Sequence, residues 1–107
     1  KLKNEVEIMT NNIDEKALDL LCEAILSLET VEECKSFLED ACSAMELKTI
    51  SQRMVVAKML SEKSVYSKII EETGASTATI SRVNKSLEYG AEGYRLVLSR
   101  MNKDAEK

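Results

Sequence analysis

Apolar residues recur at three- and four-residue intervals along most of the chain, and helix-start signals stand between the runs. Asn12 with Glu15, Thr30 with Glu33 and Ser43 with Glu46 each place a capping residue three positions ahead of a carboxylate, the spacing of a capping box. The pattern predicts helices at 13–28, 31–42 and 45–62, a shorter pair at 65–73 and 77–88, and a last one near 91–102. Turns are expected at Glu29-Thr30, Ser61 to Ser64, Gly74-Ala75 and Tyr89-Gly90, with frayed ends at 1–11 and 103–107. No stretch alternates as a strand would, and proline and tryptophan are absent, so the fold class expected is all-α with six helices.

The first helix is apolar around well over half its circumference, through Ile13, Ala17, Leu18, Leu20, Leu21, Cys22, Ala24, Ile25 and Leu28. One flat neighbour does not cover such a surface, and a chain of 107 residues has no large core in which to sink it. The reading is a helix buried against a second subunit, a homodimer with the helices of 13–62 as the dimerisation part of a single domain; the alternative is the central helix of a monomeric bundle. The helix at 45–62 shows an ordinary stripe through Leu47, Ile50, Met54, Ala57 and Met59-Leu60, with Arg53 beside it.

Residues 65–88 have the frame of a helix-turn-helix. Gly74 takes positive φ without steric cost where the chain must reverse, and Ser76 is placed to cap the next helix. A branched residue falls five before Gly74 at Ile69, six after it at Ile80 and nine after it at Val83, which is the inward packing set. Ile70, four before the glycine, is large where the two helices of such a motif usually cross closely. Thr77, Ala78, Thr79, Ser81, Arg82 and Lys85 are left facing outward, short-chained or basic as entry into a major groove requires. Thr77 and Thr79 suit base edges, Ala78 allows close approach, and Ser76 with the free N–H groups of the first turn suits a phosphate. Arg82 has the reach for a guanine, a phosphate or a small-molecule carboxylate. Tyr66, Ser67 and Lys68, at the start of the preceding helix, are expected backbone contacts. A helical hairpin without a DNA role shares Gly74, Ser76 and Ile80, but has no need of so long a run of small outward residues ahead of an arginine.

Charge changes the picture only when the chain is divided. The net of −4 as a whole argues against a polyanionic partner, yet residues 1–47 hold four basic and twelve acidic groups, while residues 48–107 hold eleven and seven. The second part is thus +4, and screening over about 8 Å in physiological salt makes that local sign the one a phosphate meets. Cys22, Cys34 and Cys42 lack CxxC spacing and there is no histidine, so buried free thiols and no metal are expected. Nothing resembles a signal peptide or a membrane span, which gives a cytoplasmic expectation, and the first residue, Lys1, suggests a trimmed start. With no histidine, no paired carboxylates on one face and no phosphate-cradling loop, an enzyme is not expected.

From about Ala17 to Met101 the chain resembles the tryptophan operon repressor superfamily, and within it the YerC/YecD branch. The resemblance is carried by LLCEAIL at 20–26, ECKSFLED at 33–40, Gln52-Arg53, AKML at 57–60, ETGASTATISRVN at 72–84 and YGAEGY at 89–94. It implies a six-helix subunit, an intertwined dimer built from the N-terminal helices and the C-terminal one near 91–102, and transcriptional repression. In the tryptophan-sensing members two arginines hold the corepressor; Arg82 matches one and Arg53 the other, and Ser86 keeps a matching hydroxyl. The threonine expected near the end of the second helix falls at Cys42 or Ser43. Those members have glycine after the second arginine, where this chain has Val83, so the resemblance implies a small carboxylate effector or none, and not tryptophan.

The combined expectation is a DNA-binding repressor that inserts the helix 77–87 of each subunit into a palindromic operator. The alternative is a protein-interaction module of the transcription machinery that reads no DNA directly.

Overall fold

The structure, a computed structural model, describes residues 13–106. Among them there are six helices and no strand: α1 (Glu15–Leu26), α2 (Val31–Ala41), α3 (Ala44–Ser61), α4 (Tyr66–Thr73), α5 (Thr77–Tyr89) and α6 (Gly93–Glu106). The chain divides into two compact units, with the boundary between Leu47 and Lys48. That is the point at which the balance of charge changes sign.

In the first unit the helices begin at side-chain caps. Thr30 accepts the Glu33 amide at 3.0 Å, while the Glu33 carboxylate reaches back to the Glu29 amide at 2.8 Å. Ser43 and Glu46 form the full reciprocal pair, at 3.1 and 2.8 Å. The first helix differs from expectation: its cap is Asp14, which accepts from the Lys16 amide at 2.9 Å, and Asn12 lies outside the described residues. A carboxylate next to the first helical residue is as good a cap as an amide and satisfies the N-terminal donors sooner. No residue of α1 or α2 is buried; Leu20 is 67% exposed and Leu26 83%. The thiols expected to be buried are not, with Cys22 exposed and Cys34 and Cys42 half-buried, because the helices that carry them contribute no buried residue.

The second unit holds the core. Val56, Ala57 and Met59 of α3, Ile69 of α4, Ala75 of the turn, Ile80 and Val83 of α5 and Leu98 of α6 are buried together, with Met54, Leu60, Leu87 and Tyr94 packed against them. The stripe expected on α3 is shifted as a result. Ile50 is 56% exposed and Val56 is fully buried, because the part of α3 that meets α4 and α5 is its last three turns, and the positions that contribute there are 56, 57 and 59.

Two helix ends in this unit close through a left-handed residue. After α3 the Ser64 amide donates to the Met59 carbonyl and the Lys63 amide to the Leu60 carbonyl, both at 3.0 Å, a Schellman closure that puts Lys63 at φ 67°. After α4 the Gly74 amide donates to the Ile70 carbonyl at 2.8 Å, with Gly74 at φ 73°. α5 ends at Gly90 in extended backbone, and glycine is required there because a Cβ would lie 2.5 Å from the Ser86 carbonyl oxygen. The last helix begins two residues later than expected and runs through Glu106, because residues 103–106 contain good helix formers and no breaker.

Candidate nucleic-acid interface

The turn between α4 and α5 is built from side chains that satisfy one another. The Thr73 hydroxyl donates to the Ile69 carbonyl at 2.6 Å and accepts the Ala75 amide at 3.1 Å, so one residue ties the last turn of α4 to the residue just past Gly74. Ala75 is buried, which anchors the middle of the turn in the core. Ser76 then caps α5, accepting the Thr79 amide at 3.1 Å while its hydroxyl donates to the Thr79 hydroxyl at 3.1 Å. That leaves the Thr79 hydroxyl proton free for an outside acceptor.

α5 has two distinct sides. Ile80 is fully buried and Val83 is 2% exposed, whereas Ser76, Thr77, Ala78, Ser81, Arg82 and Lys85 are exposed and Thr79 is half-buried. Spacing of three puts Ile80 and Val83 on one face, and their burial turns the intervening positions outward. Ile70 does not sit at the α4–α5 crossing: it is 38% exposed, and the adjacent Ile69 supplies the buried contact. Tyr66, Ser67 and Lys68 are exposed in the first turn of α4, which has no side-chain cap because Val65 holds that position. The Lys68 amide donates to the Val65 carbonyl at 3.1 Å, which leaves the Tyr66 and Ser67 amides available to outside acceptors.

Arg53 and Ser86 are half-buried, on α3 and α5. The Arg53 Nε is buried and has no hydrogen-bond partner among the described residues. Val83 stands inside the apolar core with Ile69 and Ile80, so the position where a glycine would leave room is filled by a branched side chain. Two residues that carry the resemblance but had no expected site role organise this region: Thr73, whose hydroxyl ties the turn, and Gln52, whose side-chain amide donates to the Thr73 carbonyl at 3.0 Å. A hydroxylated residue directly before a turn glycine is a cue for Thr73, whereas nothing local in the sequence gives Gln52 a partner twenty-one residues away.

The family profile of the Trp repressor protein matches residues 16–102, from the second residue of α1 through most of α6. The chain belongs to the Trp repressor family. A curated relative, the uncharacterized protein YerC of Bacillus subtilis (strain 168), is 50% identical over 86 residues, which are 80% of this chain and 83% of that protein. Among solved structures, a TrpR-like protein from Eubacterium eligens ATCC 27750 is 50% identical with a TM-score of 0.81, over 86% of this chain and 95% of that one. A Staphylococcus aureus protein, solved as a candidate Trp repressor, is 47% identical with the same TM-score of 0.81, over 87% and 93%. The six-helix all-α fold is thus that of TrpR-like proteins. Among the described residues no helix is long and apolar enough to cross a membrane.

Proposed function

We propose that this Trp repressor family chain is a transcription regulator, a repressor, that binds duplex DNA as a homodimer through α5. The observation that carries the reading is the division of α5: Ile80 and Val83 are locked in the core, and Thr77, Ala78, Ser81, Arg82 and Lys85 stand exposed behind a Ser76 cap. A helix held by one face and presenting small, hydroxylated and basic groups at its N-terminal end is suited to base edges in a major groove. Phosphates beside it meet Lys68 and Lys85 and the uncapped first turn of α4.

The dimer rests on α1 and α2, which hold no buried residue and leave Leu20, Leu21, Ile25, Leu26, Val31 and Leu38 exposed. Apolar surface of that extent is where a second copy gains most from association. Two copies of α5 related by a two-fold axis require half-sites about 34–36 Å apart in a palindromic operator.

Tryptophan is not the effector in this reading, because Val83 fills the space beside Arg82. A small carboxylate is the effector class that the unpartnered Arg53 Nε favours, with Arg82 and Ser86 as the other candidate contacts.

The deciding experiment is selection of bound fragments from a genomic duplex pool, with solution scattering on the free protein. A palindromic site spaced by one helical turn and a dimeric mass support the reading. A monomer, or a chain that retains no fragment at low salt yet co-purifies with a protein, overturns it in favour of an interaction module.

A further inference from the structure

Among the described residues, every side-chain hydrogen bond but one joins residues within four positions of each other. The exception is Gln52 to Thr73, twenty-one residues apart, in which the side-chain amide of α3 donates to the carbonyl of the last residue of α4 at 3.0 Å. The assignment is fixed by chemistry, since a carbonyl only accepts and the amide nitrogen must therefore face it. Thr73 is also the residue whose hydroxyl receives the Ala75 amide. One chain of contacts thus runs from α3 through Thr73 to the turn that launches α5.

The remaining links between these helices are apolar. Val56, Ile69, Ala75 and Ile80 hold the helices together, but dispersion and burial are non-directional and tolerate small rotations. A hydrogen bond to one carbonyl does not. Base readout needs the presenting helix held within about 0.5 Å and 10–20° of its working position, whereas attraction to phosphates survives much larger errors. We propose that Gln52 and Thr73 form a joint that sets the angle of α5 on α3, making Gln52 a positioning residue for discrimination between operator and random duplex. The proposal rests on the DNA-binding reading above and adds to it a residue that faces no DNA.

The test compares Gln52→Leu, which loses the donor, Gln52→Glu, which keeps the shape but only accepts, Thr73→Val, and Thr73→Ser, which keeps the hydroxyl. For each, hydrogen exchange of the Ala75 amide is measured on the free protein, together with the affinity for a selected duplex and for a random duplex of equal length. The two Gln52 variants are expected to exchange Ala75 about tenfold faster and to lose about tenfold in the selected-to-random ratio. Their random-duplex affinity is expected to stay within about twofold, with Thr73→Val following them and Thr73→Ser matching the parent. Unchanged exchange with an unchanged ratio overturns the proposal. So does an equal loss on both duplexes alongside a lowered urea midpoint, which is what a merely structural residue gives. A parent chain that prefers no duplex removes the DNA reading and the discrimination role with it, while the Ala75 exchange rate still decides whether Gln52 holds the turn.

Discussion

The Ser76 hydroxyl accepts the Thr79 amide and donates to the Thr79 hydroxyl, both at 3.1 Å, so a single side chain caps α5 and orients the threonine beside it. Removing the cap in Ser76→Ala is expected to cost about 1 kcal/mol of folding stability. Ser76→Asp separates the two roles. A carboxylate caps equally well and is expected to leave the urea midpoint near that of the parent, but it places a negative charge where a phosphate is proposed, so duplex affinity falls. Equal affinity in Ser76→Asp counts against a phosphate at this end of α5.

Lys63 and Gly74 occupy the same left-handed region, at φ 67° and 73°. For Lys63 the conformation is strained, and Lys63→Gly is expected to stabilise the fold by about 0.5–1 kcal/mol. At Gly74 an added Cβ meets nothing within 4 Å, so Gly74→Ala is penalised through backbone conformation alone, by about 1–2 kcal/mol. Gly74→Asn is expected to cost less than Gly74→Ala, because asparagine visits this region more readily. Chemical denaturation of the three variants checks the order.

Arg82 is exposed one position before the buried Val83. Arg82→Ala is expected to weaken operator binding by about 1–3 kcal/mol. If the guanidinium meets a base, preference relaxes at one position of the site; if it meets a phosphate, all sequences weaken alike and the salt slope flattens by about one unit. Titration of labelled duplexes at several salt concentrations separates the two, and unchanged affinity excludes Arg82 from the interface.

The Ser43 amide, and after it the Ser43 hydroxyl, hold the Glu46 carboxyl below its ordinary value of 4.5. A lowered folded-state value means that the capping box contributes its full stability above pH 4.5 and loses it as pH falls through the lower folded value. Glu46→Gln is expected to flatten this part of the acid limb when urea midpoints are followed from neutral pH into that range. An acid limb identical to that of the parent shows that the box adds no pH dependence.

Much of the architecture was legible in the chain because its signals are local. Thr30 and Ser43 cap as their spacing implies, since a cap and its partner lie within one helical turn. Gly74, Ser76, Ile80 and Val83 take the expected places for the same reason: a turn and a face are properties of neighbouring residues. The cap of α1 is Asp14, next to the helix, because capping-box spacing alone does not rank nearby capping residues.

Amino-acid order by itself determined the six helices, the turn at Gly74 and the outward set on α5, because helix periodicity, capping and turn chemistry act over three or four residues. Only the tertiary structure decided that Val56 and not Ile50 carries the α3 contact, that Ile70 stands aside from the helix crossing, and that Gln52 reaches the Thr73 carbonyl. Each of these depends on which helix meets which, at what angle and depth. That geometry is fixed by contacts between residues distant in sequence, which no local pattern encodes.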